Sequence, residues 1–436
     1  MWGRYLSRSG RTFAKVLLGR AGSTSLLNEA NLKSRRASFQ YAQFQPVHYA
    51  ATQSLVGSAI PSVQIQDRVI QVSWPDGDKY RFHLLWLLDH CRCDRCYHPI
   101  TKQRLVDTFS MPTEWHPSIS ASEEGLHVEW PDAHQSFYPW SWLRRNQYKS
   151  PMSSDQLTFQ TSGTDDGSNS YTKHIWGADI ASLRPTVSFK DVMECEEAML
   201  YWLNKIDRYG FCFVSEVPVT PEATENLVRR IAFIRETHYG GFWDFTSNMA
   251  HGDTAYTSLA LGAHTDTTYF TDPAGLQLFH LLHHHSSGPA GFVDRYTGSK
   301  LGGSSLLVDG FYVAQQMHHH YPKLYNTLRR TRFRGISAGD DSTMIAPLMS
   351  GYSILEHDPV TNALVMIRYN NSDRSSLQIP TDQVEEVYEA LRTWNSILTD
   401  PKSEYWFQLQ PGTAVIFDNH RILHGRSEFS AQYFEA

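Results

Sequence analysis

The sequence predicts a mainly β protein with flanking helices, in which a jelly-roll or cupin-like barrel follows a small β-rich domain. Two observations carry this prediction. Tryptophan landmarks recur at a fixed offset near the N-terminus, and beyond residue 256 short strand-like segments alternate with loops. The 436-residue length and 41% hydrophobic content are enough for more than one core.

The small domain is predicted over residues 60–149. Residues 69–74 alternate in polarity as a strand does, and turn residues follow them. Trp74 is matched by Trp130 and Trp86 by Trp142, at the same offset of 56 (130 − 74 and 142 − 86). An unbroken offset predicts two related hairpin units.

A Ser-, Thr-, Gly- and Asp-rich stretch predicts a linker over residues 150–175, before a second domain at 176–436. In that domain, residues 193–209 show helical spacing and end before Gly210, and residues 211–217 form a buried-strand pattern. Pro221 suits the first turn of another helix, with Thr220 as its cap.

Three cysteines, Cys91, Cys93 and Cys96, lie within six residues, which is too close for a disulfide framework of the whole chain. Three thiolates can share one Zn²⁺, and His134, from the second repeat unit, is the expected fourth ligand. A closed Cys₃His site of this kind would be structural. The alternative is three free thiols in a turn.

The second candidate site combines His264-Thr-Asp266 with a distant His424. On an extended strand, residues i and i+2 point to one face, so this imidazole and carboxylate can bind one metal ion. Two histidines and one carboxylate are typical ligands of Fe(II), with positions left open for a co-substrate and O₂. The alternative is an ordinary hydrogen-bonded pair on a strand.

Large aromatic residues precede this pair, namely Tyr239, Trp243 and Tyr256. A pocket of aromatic faces binds quaternary ammonium groups, which makes these residues a candidate cage. Core packing is the alternative role.

Composition excludes several function classes. A net charge of −6 and a pI near 6.4 offer no positive electrostatic field for nucleic acid, and no apolar run is long enough to predict a membrane helix.

Residues 1–40 are expected to contain a mitochondrial transit peptide for the matrix, because basic residues recur there and no acid precedes Glu29. A disordered basic tail is the alternative.

From about residue 65 to 427 the chain resembles the family of trimethyllysine and γ-butyrobetaine dioxygenases, which are Fe(II)/2-oxoglutarate oxygenases. The most specific segments are Leu88-Asp-His-Cys-Arg-Cys-Asp-Arg-Cys96, Ile234-Arg-Glu-Thr-His-Tyr239, Gly252-Asp-Thr-Ala-Tyr256, His264-Thr-Asp-Thr-Thr-Tyr-Phe270, Leu307-Val-Asp-Gly-Phe-Tyr312, Ile367-Arg-Tyr-Asn-Asn371 and Asp418-Asn-x-Arg-x-x-His-Gly-Arg426.

The resemblance implies a double-stranded β-helix catalytic domain that uses Fe(II), 2-oxoglutarate and ascorbate, beside a domain with structural zinc. It implies that iron is held by His264, Asp266 and His424, and that substrate binds at the aromatic cage with Asn370 and Asn371. A homodimer is expected.

Asp253 favours trimethyllysine as the small-molecule substrate, because a carboxylate would pair with its α-ammonium group, which γ-butyrobetaine lacks. The implied activity is hydroxylation of N6,N6,N6-trimethyl-L-lysine to 3-hydroxy-trimethyllysine, the first step of carnitine biosynthesis. Hydroxylation of γ-butyrobetaine is an alternative.

Members of this family carry an arginine beyond the distal histidine that binds the far carboxylate of 2-oxoglutarate. Residues 427–436 contain no arginine, so a C-terminal truncation is expected, with Arg426 as the one nearby substitute. A catalytically impaired isoform is therefore a further alternative.

Overall fold

A computed structural model describes residues 60–108, 111, 116–146, 173–242, 244, 259–284, 293–299, 302–337, 345 and 350–429. The chain divides into Met1–Ser58 and Ala59–Ala436, and all the elements below belong to the second unit. The expected transit peptide, most of the linker, the side chains of Trp243, Asp253 and Tyr256, and residues 430–436 lie outside the described residues.

The N-terminal part contains the predicted repeat as two three-stranded antiparallel sheets, each followed by a short helix. The first unit comprises β1 (Ser62–Gln66), β2 (Val69–Ser73), β3 (Lys79–His83) and α1 (Leu84–Asp89). The second comprises β4 (Ser118–Ala121), β5 (Gly125–Glu129), β6 (Gln135–Pro139) and α2 (Trp140–Arg145). β5, β6 and α2 follow β2, β3 and α1 at the predicted offset (125 − 69, 135 − 79 and 140 − 84).

The two units share one hydrophobic core, to which each contributes its tryptophan, Trp74 and Trp130. Tyr138 on β6 donates to the carbonyl of Leu87 on α1 at 2.5 Å, which ties the second unit to the end of the first helix. This contact fixes the segment that follows α1, where the cysteine cluster begins.

The larger part of the chain contains two four-stranded sheets, ordered β10-β15-β8-β7 and β14-β11-β16-β9. Neighbours are antiparallel except β7 and β8. The strands are β7 (Thr186–Ser188), β8 (Phe211–Ser215), β9 (Leu261–His264), β10 (Leu276–His280), β11 (Ser305–Asp309), β14 (Glu404–Phe407), β15 (Ala414–Asp418) and β16 (Ile422–Arg426), with a separate hairpin of β12 (Leu355–His357) and β13 (Leu364–Ile367).

Alternation along β8 shows how the layers stack. Phe211 and Phe213 pack with residues of both four-stranded sheets, whereas Cys212 and Val214 pack against the helices on the outer side. Those outer helices are α3 (Phe189–Glu194), α4 (Glu196–Tyr209) and α5 (Pro221–Ile231). The other sheet packs against α6 (Gly310–His320), α7 (Pro322–Arg330) and α8 (Val384–Leu398). The predicted jelly-roll of two facing sheets with flanking helices is confirmed.

The predicted helix boundaries are largely confirmed. α4 ends at Gly210, whose φ of 78° is a left-handed conformation that glycine adopts without steric cost. Thr220 caps α5 by accepting from the amide of Ala223 at 3.2 Å. The helix predicted over residues 193–209 is interrupted, because Cys195 has an extended backbone that separates α3 from α4.

A buried ion pair joins the start of α6 to β16. Arg421 and Asp309 are both 0% exposed, and the guanidinium donates to the two carboxylate oxygens at 3.1 and 2.7 Å. The same guanidinium donates to the carbonyl of Arg208 at 3.1 Å, so the charge pair also anchors the end of α4. Among the described residues, no helix is long and apolar enough to cross a membrane.

Candidate metal centre and zinc cluster

Two of the predicted iron ligands face each other across adjacent strands. His264 on β9 pairs in register with His424 on β16, with their ring centroids 4.4 Å apart. One donor atom from each histidine and one from Asp266 all lie within 4.8 Å of one another. Antiparallel pairing therefore joins two residues that are 160 positions apart (424 − 264) in the sequence.

Asp266 reaches this centre from a turn and not from a strand. β9 ends at His264, so the expected strand does not extend to Asp266. Asn419 fixes the turn instead: its side-chain oxygen accepts from the Asp266 amide at 2.9 Å, and its side-chain nitrogen donates to the Asp266 carbonyl at 3.1 Å. The carboxylate then lies 3.2 Å from His264 Nε2 and 3.7 Å from His424 Nε2.

The protonation states of the three groups depend on one another. Burial would raise the pKa of Asp266, but the facing His424 and His264, with a hydrogen bond from Gln277, hold that pKa well below its usual value. Burial and the neighbouring His264 lower the pKa of His424 to about 4. At neutral pH the centre therefore presents an ionised carboxylate beside a neutral His424, the forms in which these side chains bind metals.

Neighbouring groups orient the imidazoles. His264 Nδ1 donates to the carbonyl of Gly262 at 2.8 Å, so that Nε2 is the nitrogen that faces the Asp266 carboxylate. The His424 ring packs near Phe417 and Phe279, with centroids 5.0 and 5.5 Å away. Two histidine nitrogens and one carboxylate oxygen within 4.8 Å of one another fit Fe(II) by the chemistry of the donor set.

The cysteine cluster of the N-terminal part converges on the predicted histidine. His134 Nε2 lies 3.4 Å from Cys91 Sγ, 3.1 Å from Cys93 Sγ and 3.4 Å from Cys96 Sγ. Ser136 Oγ donates to Cys91 Sγ at 3.0 Å, which supports the sulfur from outside the cluster.

These spacings match a tetrahedral zinc site. With Zn–S near 2.3 Å and Zn–N near 2.0 Å, the sulfur-to-nitrogen edge of such a site is roughly 3.5 Å. Burial raises the pKa of the Cys91 and Cys96 thiols, so without a cation they are protonated. A divalent ion would reverse this, and the donor set fits structural zinc.

Two family models match the chain. Residues 168–433 match the taurine catabolism dioxygenase TauD, TfdA family, and residues 62–144 match the N-terminal domain of gamma-butyrobetaine hydroxylase-like proteins. A trimethyllysine dioxygenase from Neurospora crassa is 40% identical over 396 residues, which cover 85% of this chain and 81% of the relative.

The chain belongs to the trimethyllysine dioxygenase family. The mitochondrial trimethyllysine dioxygenase of Rattus norvegicus is 38% identical, with 80% of this chain and 77% of the relative covered. A gamma-butyrobetaine dioxygenase from Pongo abelii is 26% identical, with 84% of this chain and 88% of the relative covered. The identity values separate the two groups, and this chain is more similar to the trimethyllysine dioxygenases.

Only part of the aromatic cage expected for this family is described. The Tyr239 hydroxyl accepts a hydrogen bond from Tyr269 at 3.3 Å, and Tyr269 is 2% exposed. Trp243 and Tyr256, like Asp253, lie outside the described residues. Tyr269 was not among the predicted cage residues, although it lies three residues after Asp266 in a segment typical of the family.

Asn370 and Asn371, the other expected substrate residues, both make local contacts. Asn370 accepts from the amide of Ser372 at 2.9 Å and donates to Asp373 at 2.9 Å. Asn371 accepts from Arg374 at 3.3 Å. Asp373 is one of the charges that raise the pKa of His264.

Arg426, the residue expected to bind the co-substrate, lies on β16 two positions after His424. It donates to the carbonyl of Leu259 at 3.1 Å and lies over the ring of Phe429. Burial lowers its pKa from the usual arginine value. The guanidinium is therefore held at the end of the strand that carries the distal histidine.

Two residues that orient the carboxylate, Asn419 and Gln277, were not predicted from the sequence. Gln277 on β10 donates to Asp266 Oδ2 at 2.6 Å. Asn419 lies within a segment typical of the family, whereas Gln277 belongs to no motif. The one feature of the sequence that could have indicated a role is that Asn419 lies close to His424.

Proposed function

We propose that this chain is a trimethyllysine dioxygenase, which converts N6,N6,N6-trimethyl-L-lysine to 3-hydroxy-trimethyllysine with 2-oxoglutarate and O₂. The observation that carries the proposal is the convergence of His264, Asp266 and His424 in a chain 40% identical to the Neurospora crassa enzyme. The product would enter carnitine biosynthesis.

His264, Asp266 and His424 would hold Fe(II) in this reaction. When bound, iron supplies O₂ activation coupled to the oxidative decarboxylation of 2-oxoglutarate to succinate, with ascorbate as the reductant that keeps iron in the ferrous state. The chain itself supplies an ionised carboxylate and a His424 that stays neutral at physiological pH.

The surrounding residues hold those ligands in place and exclude water. Asn419 orients the backbone of Asp266, and Gln277 orients its carboxylate. The carboxylate is therefore already ordered before the metal ion binds. Phe279 and Phe417 form an apolar wall beside His424, which strengthens electrostatic interactions at the centre.

Substrate would be held at both of its charged ends. Tyr239, together with Trp243 and Tyr256, would surround the trimethylammonium group, and Asp253 would pair with the α-ammonium group. Asn370 and Asn371 would complete the substrate site, and Arg426 would bind the far carboxylate of 2-oxoglutarate.

Purified protein supplied with Fe(II), 2-oxoglutarate, ascorbate and trimethyllysine should form succinate and hydroxytrimethyllysine in equal amounts, measured by mass spectrometry. The same assay with γ-butyrobetaine tests the alternative substrate, and His424→Ala is the inactive control. Failure of iron-loaded wild-type protein to form either product would disprove the proposal. Preference for γ-butyrobetaine would reassign the substrate.

The N-terminal part would serve as a zinc-stabilised domain at residues 60–149, joined by the 150–175 linker to an oxygenase domain at 176–436. The matches to separate family models over residues 62–144 and 168–433 support this division. Cys91, Cys93, Cys96 and His134 would hold the zinc as a closed structural site.

Residues 1–40 would direct the chain to the mitochondrial matrix, in keeping with the mitochondrial name of the Rattus norvegicus relative. A fusion of these residues to a fluorescent protein should co-localise with a matrix marker, and a cytosolic signal would contradict the assignment. A homodimer is expected, and light scattering of the purified chain measures its mass directly.

A further inference from the structure

A cleft of about 780 Å³ lies between α7, the segment that follows it, and the beginning of α8. Its walls include Lys323 and Arg330 from α7, and Arg332 and Arg334 from the segment beyond. None of the three candidate iron ligands lines it. The cleft is therefore separate from the metal centre.

Positive charge predominates in this cleft. Glu386 is the one acidic residue among its described lining residues, and it is paired with Lys323 at 3.1 Å. Glu386 also accepts from Thr327 at 2.6 Å. Three guanidinium groups remain on one concave surface, although the whole chain carries a net charge of −6.

The side chains of these three arginines lack an ion-pair partner among the described residues. Arg144 and Arg229 each pair with a carboxylate. Within the described part of the chain, by contrast, no hydrogen bond or ion pair reaches the side chain of Arg330 or Arg332. Arg334 Nε is buried and has no hydrogen-bond partner there.

A solvated surface accounts for single exposed arginines, but not for this arrangement. Like charges on one concave wall repel each other. An anion between the guanidinium groups would offset that repulsion. Guanidinium groups also match carboxylate and phosphate oxygens with two parallel hydrogen bonds.

We propose that this cleft binds a small polyanion with two or more phosphate or carboxylate groups. The volume is that of an ordinary small-molecule site, which suits a metabolite. More than one anionic group suits the cleft, because a single carboxylate brings one negative charge to a lining with three unpaired arginines.

Isothermal titration calorimetry of the full-length chain, with zinc retained and no iron added, tests the proposal. Inorganic pyrophosphate and tricarballylate, titrated separately at constant ionic strength, represent the phosphate and carboxylate classes. Binding of at least one probe with 1:1 stoichiometry is expected. The class that binds more tightly identifies the ligand chemistry.

The variant Arg330→Gln/Arg332→Gln should weaken that binding by about tenfold or more, because each substitution removes a charge-assisted contact. Arg392→Gln is the matched control, since Arg392 is exposed, lies on α8 and does not line the cleft. Circular dichroism should show that neither variant melts at a lower temperature than the wild type, because the substituted side chains are exposed.

Loss of binding in the double variant and not in Arg392→Gln supports the site. Equal affinity in the double variant and the wild type would place the probe elsewhere and overturn the proposal. Absence of binding by both probes to the wild type would overturn it as well.

Discussion

Replacement of Asn419 by alanine should weaken metal binding although Asn419 is not itself a ligand. Its side chain is 1% exposed and makes hydrogen bonds to the amide of Asp266 at 2.9 Å, the carbonyl of Asp266 at 3.1 Å and the carbonyl of Ala274 at 2.9 Å. These bonds fix the backbone of Asp266 and therefore the direction in which its carboxylate points.

The expected magnitude follows from the number of bonds. At a net value of about 1 kcal/mol for each hydrogen bond, Asn419→Ala should lower the free energy of unfolding by roughly 3 kcal/mol. Loss of a group that orients a ligand typically reduces metal affinity by about 10- to 100-fold. Both effects should appear together, because they have the same structural cause.

Two measurements test this prediction. Urea denaturation of the metal-free protein gives the free energy of unfolding, and electron paramagnetic resonance of free Mn(II) during a titration gives the affinity of the metal centre. Asn395→Ala, an exposed asparagine on α8, is the control and should change neither value beyond about 0.5 kcal/mol.

An unchanged Mn(II) affinity in folded Asn419→Ala would refute the reasoning, since the Asp266 turn would then be ordered without this side chain. Asn419→Asp gives a further comparison. It keeps the acceptor for the Asp266 amide but places a buried carboxylate oxygen against the carbonyls of Asp266 and Ala274, so its free energy of unfolding should be lower than that of the alanine variant.

Three further predictions concern zinc, pH and the buried ion pair. His134→Ala should lose zinc measured by elemental analysis, whereas Cys195→Ser, which changes a thiol outside the cluster, should retain it. Burial lowers the pKa of His357 to about 4, so the unfolded state binds its proton more readily below about pH 6.5. The free energy of unfolding should therefore fall by about 1–2 kcal/mol, after allowance for solvent screening, as the pH drops from 6.5 towards 4. His357→Gln should flatten that dependence in urea titrations, and an unchanged slope would contradict it. Arg421→Met leaves a fully buried carboxylate unpaired and should lower the free energy of unfolding by about 3–5 kcal/mol. Arg144→Met removes one partner of an exposed pair and should lower it by less than about 1 kcal/mol. Similar losses at both sites would show that burial does not govern the difference.

Local patterns were sufficient for several helix ends and for the repeated unit, where the governing interaction is itself local. The end of α4 at Gly210 and the start of α5 at Thr220 depend on backbone groups within one helical turn. The repeated N-terminal unit was visible because each copy forms the same hairpin and helix from its own residues. Residue types, their spacing and the family resemblance together predicted both candidate metal clusters.

The sequence by itself determined which side chains are available as ligands, because thiols, imidazoles and carboxylates differ in their chemistry. Tertiary structure decided how they are oriented: Asn419 fixes the turn of Asp266 from 153 positions away, and Gln277 reaches the same carboxylate from another sheet. Tertiary structure also places the arginines of α7 and of the following segment along one cleft, which the beginning of α8 borders. The physical reason is that periodicity and capping act over a few residues, whereas strand pairing and burial join distant segments in ways that no local pattern specifies.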